Sequence, residues 1–173
     1  TLTSAATDPV ANVNDAPVAG TPSSVVDENT GIVTFDLLTG SSDVDGPSPL
    51  DVTNVQITDI TINGVSVADM TFPVDAAGFG TISGGVFSLD TSNPDIDLGA
   101  GQNAVLSFSY EVTDGVTAVP TTATFQLNGV NDAPTGAPTA TLANGTEDVA
   151  YTVYAVDLLA GFSDPDMNDT LAV

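Results

Sequence analysis

The segment Ala104-Val-Leu-Ser-Phe-Ser-Tyr-Glu-Val112 decides the fold. Ala104, Leu106, Phe108, Tyr110 and Val112 alternate with Val105, Ser107, Ser109 and Glu111, a period of two that predicts a half-buried strand in the centre of a sheet. Downstream, Thr122, Thr124 and Gln126 alternate with Ala123, Phe125 and Leu127, and Asp114-Gly115 lies in the connection. The two runs are therefore expected to pair antiparallel. Pro120 has no N–H to donate and suits the connection or an edge.

A second hairpin is marked by Asn63-Gly64, between Ile57 to Ile62 and Val65 to Val67. Both central residues of a type I′ turn need positive φ, which Asn-Gly adopts at low cost. The apolar parity changes between Ile57 and Ile60, so a bulge is expected near Thr58-Asp59. Further short strands are expected at Ile32 to Leu38, Met70 to Val74 and Val86 to Leu89, and helix signals are nearly absent. Phe72, Phe79, Phe87, Phe108, Tyr110 and Phe125 are expected to fill the core. About seven short strands separated by Gly, Pro and Asp turns describe an all-β antiparallel sandwich.

The pattern recurs. VNDAPV at Val13 to Val18 returns as VNDAPT at Val130 to Thr135, and FDLLTGSSDVD at Phe35 to Asp45 returns as VDLLAGFSDPD at Val156 to Asp166. Repeats of this kind are expected in tandem. Residues 1–17 read as the end of a preceding repeat plus linker, 18–130 as a complete repeat, 131–135 as a linker and 136–173 as the beginning of the next.

Across 173 residues there are 23 acidic side chains and no Lys, Arg, His, Cys or Trp, giving a formal net charge of -23. With 42% apolar residues the chain can bury a core, so it is a folded polyanion. It holds no Ser-His or Cys-His couple, Schiff-base lysine or thiolate zinc site, and is expected not to be an enzyme. A glycosidase carboxyl pair is disfavoured because no aromatic sugar platform accompanies the acids. Such a charge cannot neutralise phosphates, so nucleic acid is excluded as a partner, and no apolar run is long enough for membrane insertion. Cations are what it attracts.

Two acidic loops recur at the repeat period. Asp43-Val44-Asp45 follows a predicted strand, and Asp164-Pro165-Asp166 takes the same place in the next repeat. Alternate carboxylates in a loop turn several oxygens toward one hard cation, and calcium accepts six to eight of them at flexible geometry. Any single Asp can instead close an Asx-turn. The scattered acids Asp51, Asp59, Asp69 and Asp75 read as solvated surface.

The ordered set V-D-E-N (Val26 to Asn29), S-D-V-D-G (Ser42 to Gly46), S-L-D (Ser88 to Asp90), Y-E-V-T-D-G (Tyr110 to Gly115) and V-N-D-A-P (Val130 to Pro134) resembles cadherin-like tandem repeats. It is most similar to the bacterial cadherin-like and VCBS-type repeats of large secreted RTX-type adhesins. The resemblance implies Ig-like/cadherin-like sandwiches, a secreted or cell-surface location in a bacterium, and calcium at the junctions between repeats. Carried over by motif, Asn14 and Asp15 would serve the first junction with Asp43, Asp45 and Asp114. Asn131 and Asp132 would serve the second with Asp164, Asp166, Glu28 and Asp90. The family linker D-x-N-D-N-x-P is shortened here, and its D-R-E triplet survives only as Asp90-Thr91-Ser92, which implies fewer or weaker ions.

The expected function is a structural extender module of an extracellular fibre or surface adhesin, stiffened by calcium at its junctions and partnered by neighbouring repeats of the same chain or fibre. Two alternatives belong to other classes. One is a filament subunit that self-assembles by strand exchange; the other is an adhesion domain that binds a sugar or a protein.

Overall fold

The computed structural model describes residues 13–45, 49–66, 80–93, 96–166 and 169–173. Among the described residues, eight strands run between Ser23 and Asn128: β1 (Ser23–Asp27), β2 (Ile32–Asp36), β3 (Asp51–Ile62), β4 (Val65–Ser66), β5 (Thr81–Ser83), β6 (Val86–Asp90), β7 (Asn103–Thr113) and β8 (Ala118–Asn128). They form a five-stranded sheet in the order β1-β8-β7-β3-β4 and a three-stranded sheet in the order β2-β6-β5. The chain is all-β in architecture, and both sheets contribute side chains to one core.

β7 is central, as its alternation predicts. Ala104, Leu106, Phe108, Tyr110 and Val112 are buried, and the intervening residues face outward. It pairs antiparallel with β8 over eleven positions, from Asn103↔Asn128 to Thr113↔Ala118. Pro120 lies within β8, but β1 covers that strand only from Thr124 onward, so the proline sits on an open edge. The Asn63-Gly64 turn has φ of 50° and 76°, the positive pair that a type I′ hairpin needs. The β3–β7 register shifts between Ile57 and Asp59, where the parity change places it, and again between Thr53 and Gln56, beside Asn54 with φ of 55°.

The sheets are joined by four rings. Phe35 and Phe87 are cross-strand partners on β2 and β6. Each packs against Phe108 and Phe125 of the opposite sheet, with centroids 5.2–6.4 Å apart and planes tilted by 50–76°. These are favourable edge-on arrangements. Tyr110 crosses the same gap, its buried hydroxyl donating to the Leu37 carbonyl at 2.7 Å.

Several features depart from expectation. The large sheet is not wholly antiparallel, because β1 and β8 run parallel, Ser23↔Thr124 through Asp27↔Asn128. Both strands run from the end where the chain arrives toward the end where it leaves, and this fixes their common direction. β5 was not expected, although Gly84-Gly85, with φ of 55° and 79°, marks its hairpin with β6. VDLLAG differs from its earlier copy. Phe35 and Leu37 are buried at the end of β2 and the turn after it, whereas Ala155–Leu159 form a short helix, α1, with Val156 73% and Leu158 48% exposed. The difference follows from packing: Phe35 and Leu37 have β6, β7 and β8 against them, and no such strands flank α1 among the described residues. Beside it, β9 (Thr135–Gly136) and β10 (Phe162–Ser163) form a small antiparallel pair, the counterpart of the Val18↔Ser42 bridge. The expected strand at Met70 to Val74, with Phe72, Phe79, Asp69 and Asp75, lies outside the described residues.

Phe125→Ala is expected to cost about 3–5 kcal/mol in denaturant unfolding, because it opens a cavity where the sheets meet. Tyr110→Phe should cost about 1–3 kcal/mol, since it leaves the buried Leu37 carbonyl without its donor.

Candidate metal centre

The acidic residues gather at the two ends of the sandwich. At the end where the chain arrives, the Asn14 amide donates to Asp114 Oδ2 at 2.9 Å and to Thr117 Oγ1 at 3.2 Å. The Asp15 N–H donates to Asp45, and the Asp45 N–H donates to Asp43 Oδ1 at 2.7 Å. Asp114 Oδ1 accepts the N–H groups of Val116 and Thr117, both at 2.7 Å, in the tight turn between β7 and β8. Those backbone donors, with the Asn14 amide, hold the Asp114 carboxyl below its ordinary range. Asn14, Asp15, Asp43, Asp45 and Asp114 are thus linked by hydrogen bonds. Asp43 Oδ2 is a buried oxygen without a hydrogen-bond partner.

The opposite end repeats the part of this pattern that joins the linker to the D-x-D pair. The Asn131 amide donates to the Asp132 carbonyl as the Asn14 amide does to the Asp15 carbonyl. The Asp132 N–H donates to both Asp166 oxygens, at 3.1 and 3.2 Å, and the Asp166 N–H donates to Asp164 Oδ1 at 3.1 Å. Each linker Asp is therefore held by the second acid of a D-x-D pair, and that acid is held by the first.

Here the preceding sandwich adds its own side chains. Glu28 is 2% exposed, just after β1, and accepts the Val130 N–H at 2.7 Å and the Leu98 N–H at 3.0 Å. Asn29, in the left-handed region with φ of 60°, donates its amide to Asp132 at 2.9 Å. Glu28, Asp97 and Asp132 each bring an oxygen within 4.8 Å of the others, and Asp164, Asp166 and Asp169 form a second such group. Asp97 connects the two. Burial raises its carboxyl above the ordinary range, followed by repulsion from Asp132 and Asp166 and a hydrogen bond with Asp166. Burial also raises Glu28, against its two backbone donors and with repulsion from Asp97 and Asp132. No cationic side chain exists to relieve this crowding.

Asp97 and Asp169 were missed by motif transfer. Asp97 lies between Ile96 and Leu98, both buried, and that in-out alternation is the one local signal for it. Asp90 was assigned to this junction by motif but is not among the converging carboxylates. It ends β6, exposed, and its Oδ1 accepts the Ser92 N–H at 3.1 Å in an Asx-turn. Glu147-Asp148 repeats the turn of Glu28-Asn29, with φ of 63° at Asp148, and carries the equivalent glutamate on the surface.

Residues 130–173 match a family model described as a cadherin-like domain. That stretch holds Asn131, Asp132, Asp164, Asp166 and Asp169 and lies beyond β8. Among solved structures, the chain is similar to a chimeric titin Z1Z2 functionalized with a KLER exogenous peptide from decorin. The identity is 19%, over 72% of this chain and 54% of that one, with a TM-score of 0.31. This chain thus spans about half the length of that structure. No curated protein matches it.

In the cation-free protein the raised carboxyls of Glu28 and Asp97 favour folding in their neutral form. Their contribution is fully present below the ordinary values of 4.5 and 3.8 and is lost as pH rises through the raised folded values. Asp114 acts in the opposite sense, its contribution being lost as pH falls through its lowered value. Melting in chelator should therefore show a temperature that climbs as pH is lowered from about 7 into the carboxyl range. Asp97→Asn should raise the melting temperature at neutral pH and flatten that climb.

Proposed function

We propose that this chain is a structural module of an extracellular fibre or surface adhesin, built of tandem cadherin-like repeats whose junctions are stiffened by calcium. One observation carries the reading. The same chain of hydrogen bonds, linker Asp to second acid to first acid, recurs at both ends of one sandwich, and at the second end Glu28, Asp97 and Asp132 converge from three separated segments with no cationic side chain in the protein to offset them. The match of residues 130–173 to a cadherin-like domain supports it.

The donor set suits a hard divalent ion. Every candidate ligand is an oxygen, the carboxylates repel one another, and Asp43 Oδ2 is buried without a proton donor. At the second junction Glu28, Asp97, Asp132, Asp164, Asp166 and Asp169 would hold calcium; at the first, Asp15, Asp43, Asp45 and Asp114 would. Bound calcium supplies positive charge and six to eight oxygen contacts, which turns repulsion between repeats into attraction. The protein's own part is orientation: backbone donors from Asp45, Asp132 and Asp166 fix the carboxylates before any ion arrives. Calcium also competes with protons for Glu28 and Asp97, so binding should release protons. No catalytic step is assigned to the chain, and its partners on this reading are neighbouring repeats.

A second reading, self-assembly by strand exchange, is favoured by the apolar side chains exposed around α1, among them Tyr151, Tyr154, Val156 and Leu158. A strand from a neighbouring copy laid against them would bury that surface.

The test is thermal melting with calcium, magnesium or chelator. Calcium at about 100 times its dissociation constant should stabilise the protein by about 2.7 kcal/mol and raise the melting temperature by several degrees, with magnesium far weaker. Asp164→Ala with Asp166→Ala should abolish most of the rise, and Asp43→Ala with Asp45→Ala a part of it. A melting temperature indifferent to calcium would overturn the calcium reading. A melting temperature that depends on protein concentration, in chelator as in calcium, would favour strand exchange.

A further inference from the structure

Three asparagines of this chain, Asn63, Asn128 and Asn144, are each followed by glycine. Such a pair is chemically reactive, because a glycine without Cβ lets its backbone nitrogen reach the asparagine Cγ whenever both groups have room to move. Two of the three pairs are held in place. Asn63 Oδ1 accepts the Asn103 N–H at 2.9 Å, and the Asn63 N–H donates to the Asn103 carbonyl at 2.8 Å, which fixes both the side chain and the turn. The Asn128 amide donates to Asp27 at 3.0 Å, and its Oδ1 accepts the Gln126 amide at 2.7 Å. The nucleophile beside it is also engaged: the Gly129 N–H donates to the Gln102 carbonyl at 2.9 Å. Gly129 lies so close to the Gly99 carbonyl that a Cβ there would collide with it.

Asn144-Gly145 has none of these restraints. Residues 137–154 form no strand or helix, Asn144 and Gly145 are exposed, and neither makes a hydrogen bond among the described residues. A Cβ at Gly145 would meet Tyr151 Cγ at 3.9 Å, ordinary contact, and no other atom of the described residues as near. We propose that Asn144 is a site of spontaneous covalent modification, converted in the folded protein to aspartate and isoaspartate while Asn63 and Asn128 persist. Hydroxide takes the Gly145 amide proton and the nitrogen bonds to Asn144 Cγ. The Cγ–Nδ2 bond breaks as Nδ2 takes a proton from water and leaves as ammonia. Water then opens the succinimide, giving aspartate by attack at the side-chain carbonyl and isoaspartate by attack at the backbone carbonyl.

The product bears on the strand that this segment is placed to form. Asn144 precedes Glu147 as Val25 of β1 precedes Glu28, so Gly145 takes the place of Val26. The Glu28 N–H donates to the Asn128 carbonyl, and the Val26 N–H, one ladder step earlier, points at β8 as well. Isoaspartate routes the main chain through the side chain and lengthens it, so a strand over 142–146 would lose its register. Pairing would in turn occupy the Gly145 N–H. Strand formation and modification at this place therefore exclude one another.

The inference rests on neither calcium nor assembly, and its test is run on the full chain in mildly alkaline buffer with chelator. With no Lys or Arg the chain offers trypsin no site, so the aged protein is cut with chymotrypsin, for which Phe125, Leu127, Leu142 and Tyr151 flank the two downstream pairs. Mass spectrometry follows the exchange of amide for acid, and electron-based fragmentation tells isoaspartate from aspartate. In the folded chain Asn144 should convert about tenfold faster than Asn63 or Asn128, which must first break their hydrogen bonds, and isoaspartate should exceed aspartate. In urea the three rates should draw together. Gly145→Ala should slow conversion at Asn144 severalfold. Equal rates in the folded chain, or no conversion at Asn144 there, would sink the inference. So would a preference for Asn144 that survives in urea, since the selectivity would then belong to flanking residues and not to the fold.

Discussion

The carboxylates of this molecule have no positively charged side chain to pair with, and backbone N–H groups satisfy many of them. Asp114 holds the turn between β7 and β8 through two such bonds, Asp36 caps the end of β2 through Leu38, and Asp90 closes its turn through Ser92. Glu28 joins Leu98 and Val130, reinforcing the approach of the two segments that the Gly129 N–H makes through the Gln102 carbonyl. A charged acceptor makes these bonds stronger than a neutral pair would be. Many of the acids lie in turns, at strand ends and at chain crossings, where N–H groups are free of ladders, whereas Asp59 and Glu111 lie within β3 and β7.

That division leaves a sandwich with two acidic ends and an apolar middle. The middle is set by Phe35, Phe87, Phe108 and Phe125, one ring pair from each sheet, and by the Tyr110 hydroxyl on Leu37. The ends are set by the parallel β1–β8 pair, which sends the chain in at one and out at the other. Had β1 been antiparallel to β8, both linkers would have met at one end, and the two acidic groups would not stand at opposite ends of the sandwich.

Glu28, Asp97 and Asp132 stand close together at a cost in stability. Burial, together with repulsion from Asp132, raises the proton affinity of Glu28 and Asp97, a cost that a metal ion or a proton removes. The fold holds the arrangement because the backbone donors around it are fixed by β1, β8 and the linker, not by the carboxylates themselves.

By itself the sequence determined what depends on neighbours along the chain. The two-residue period of Ala104 to Val112, the Asn63-Gly64 turn, the bulge beside Asp59 and the recurrence of the Asn-Asp linker with its D-x-D pair were all legible, because strand periodicity, positive φ and Asx-turns are local properties. The tertiary structure alone decided that β1 runs parallel to β8, that VDLLAG is helical where FDLLTG is strand and turn, and that Asp97 stands beside Glu28 where motif transfer placed Asp90. Each is settled by contacts between residues tens of positions apart. A spacing read along the chain carries no information about which oxygen reaches which partner until packing has fixed both.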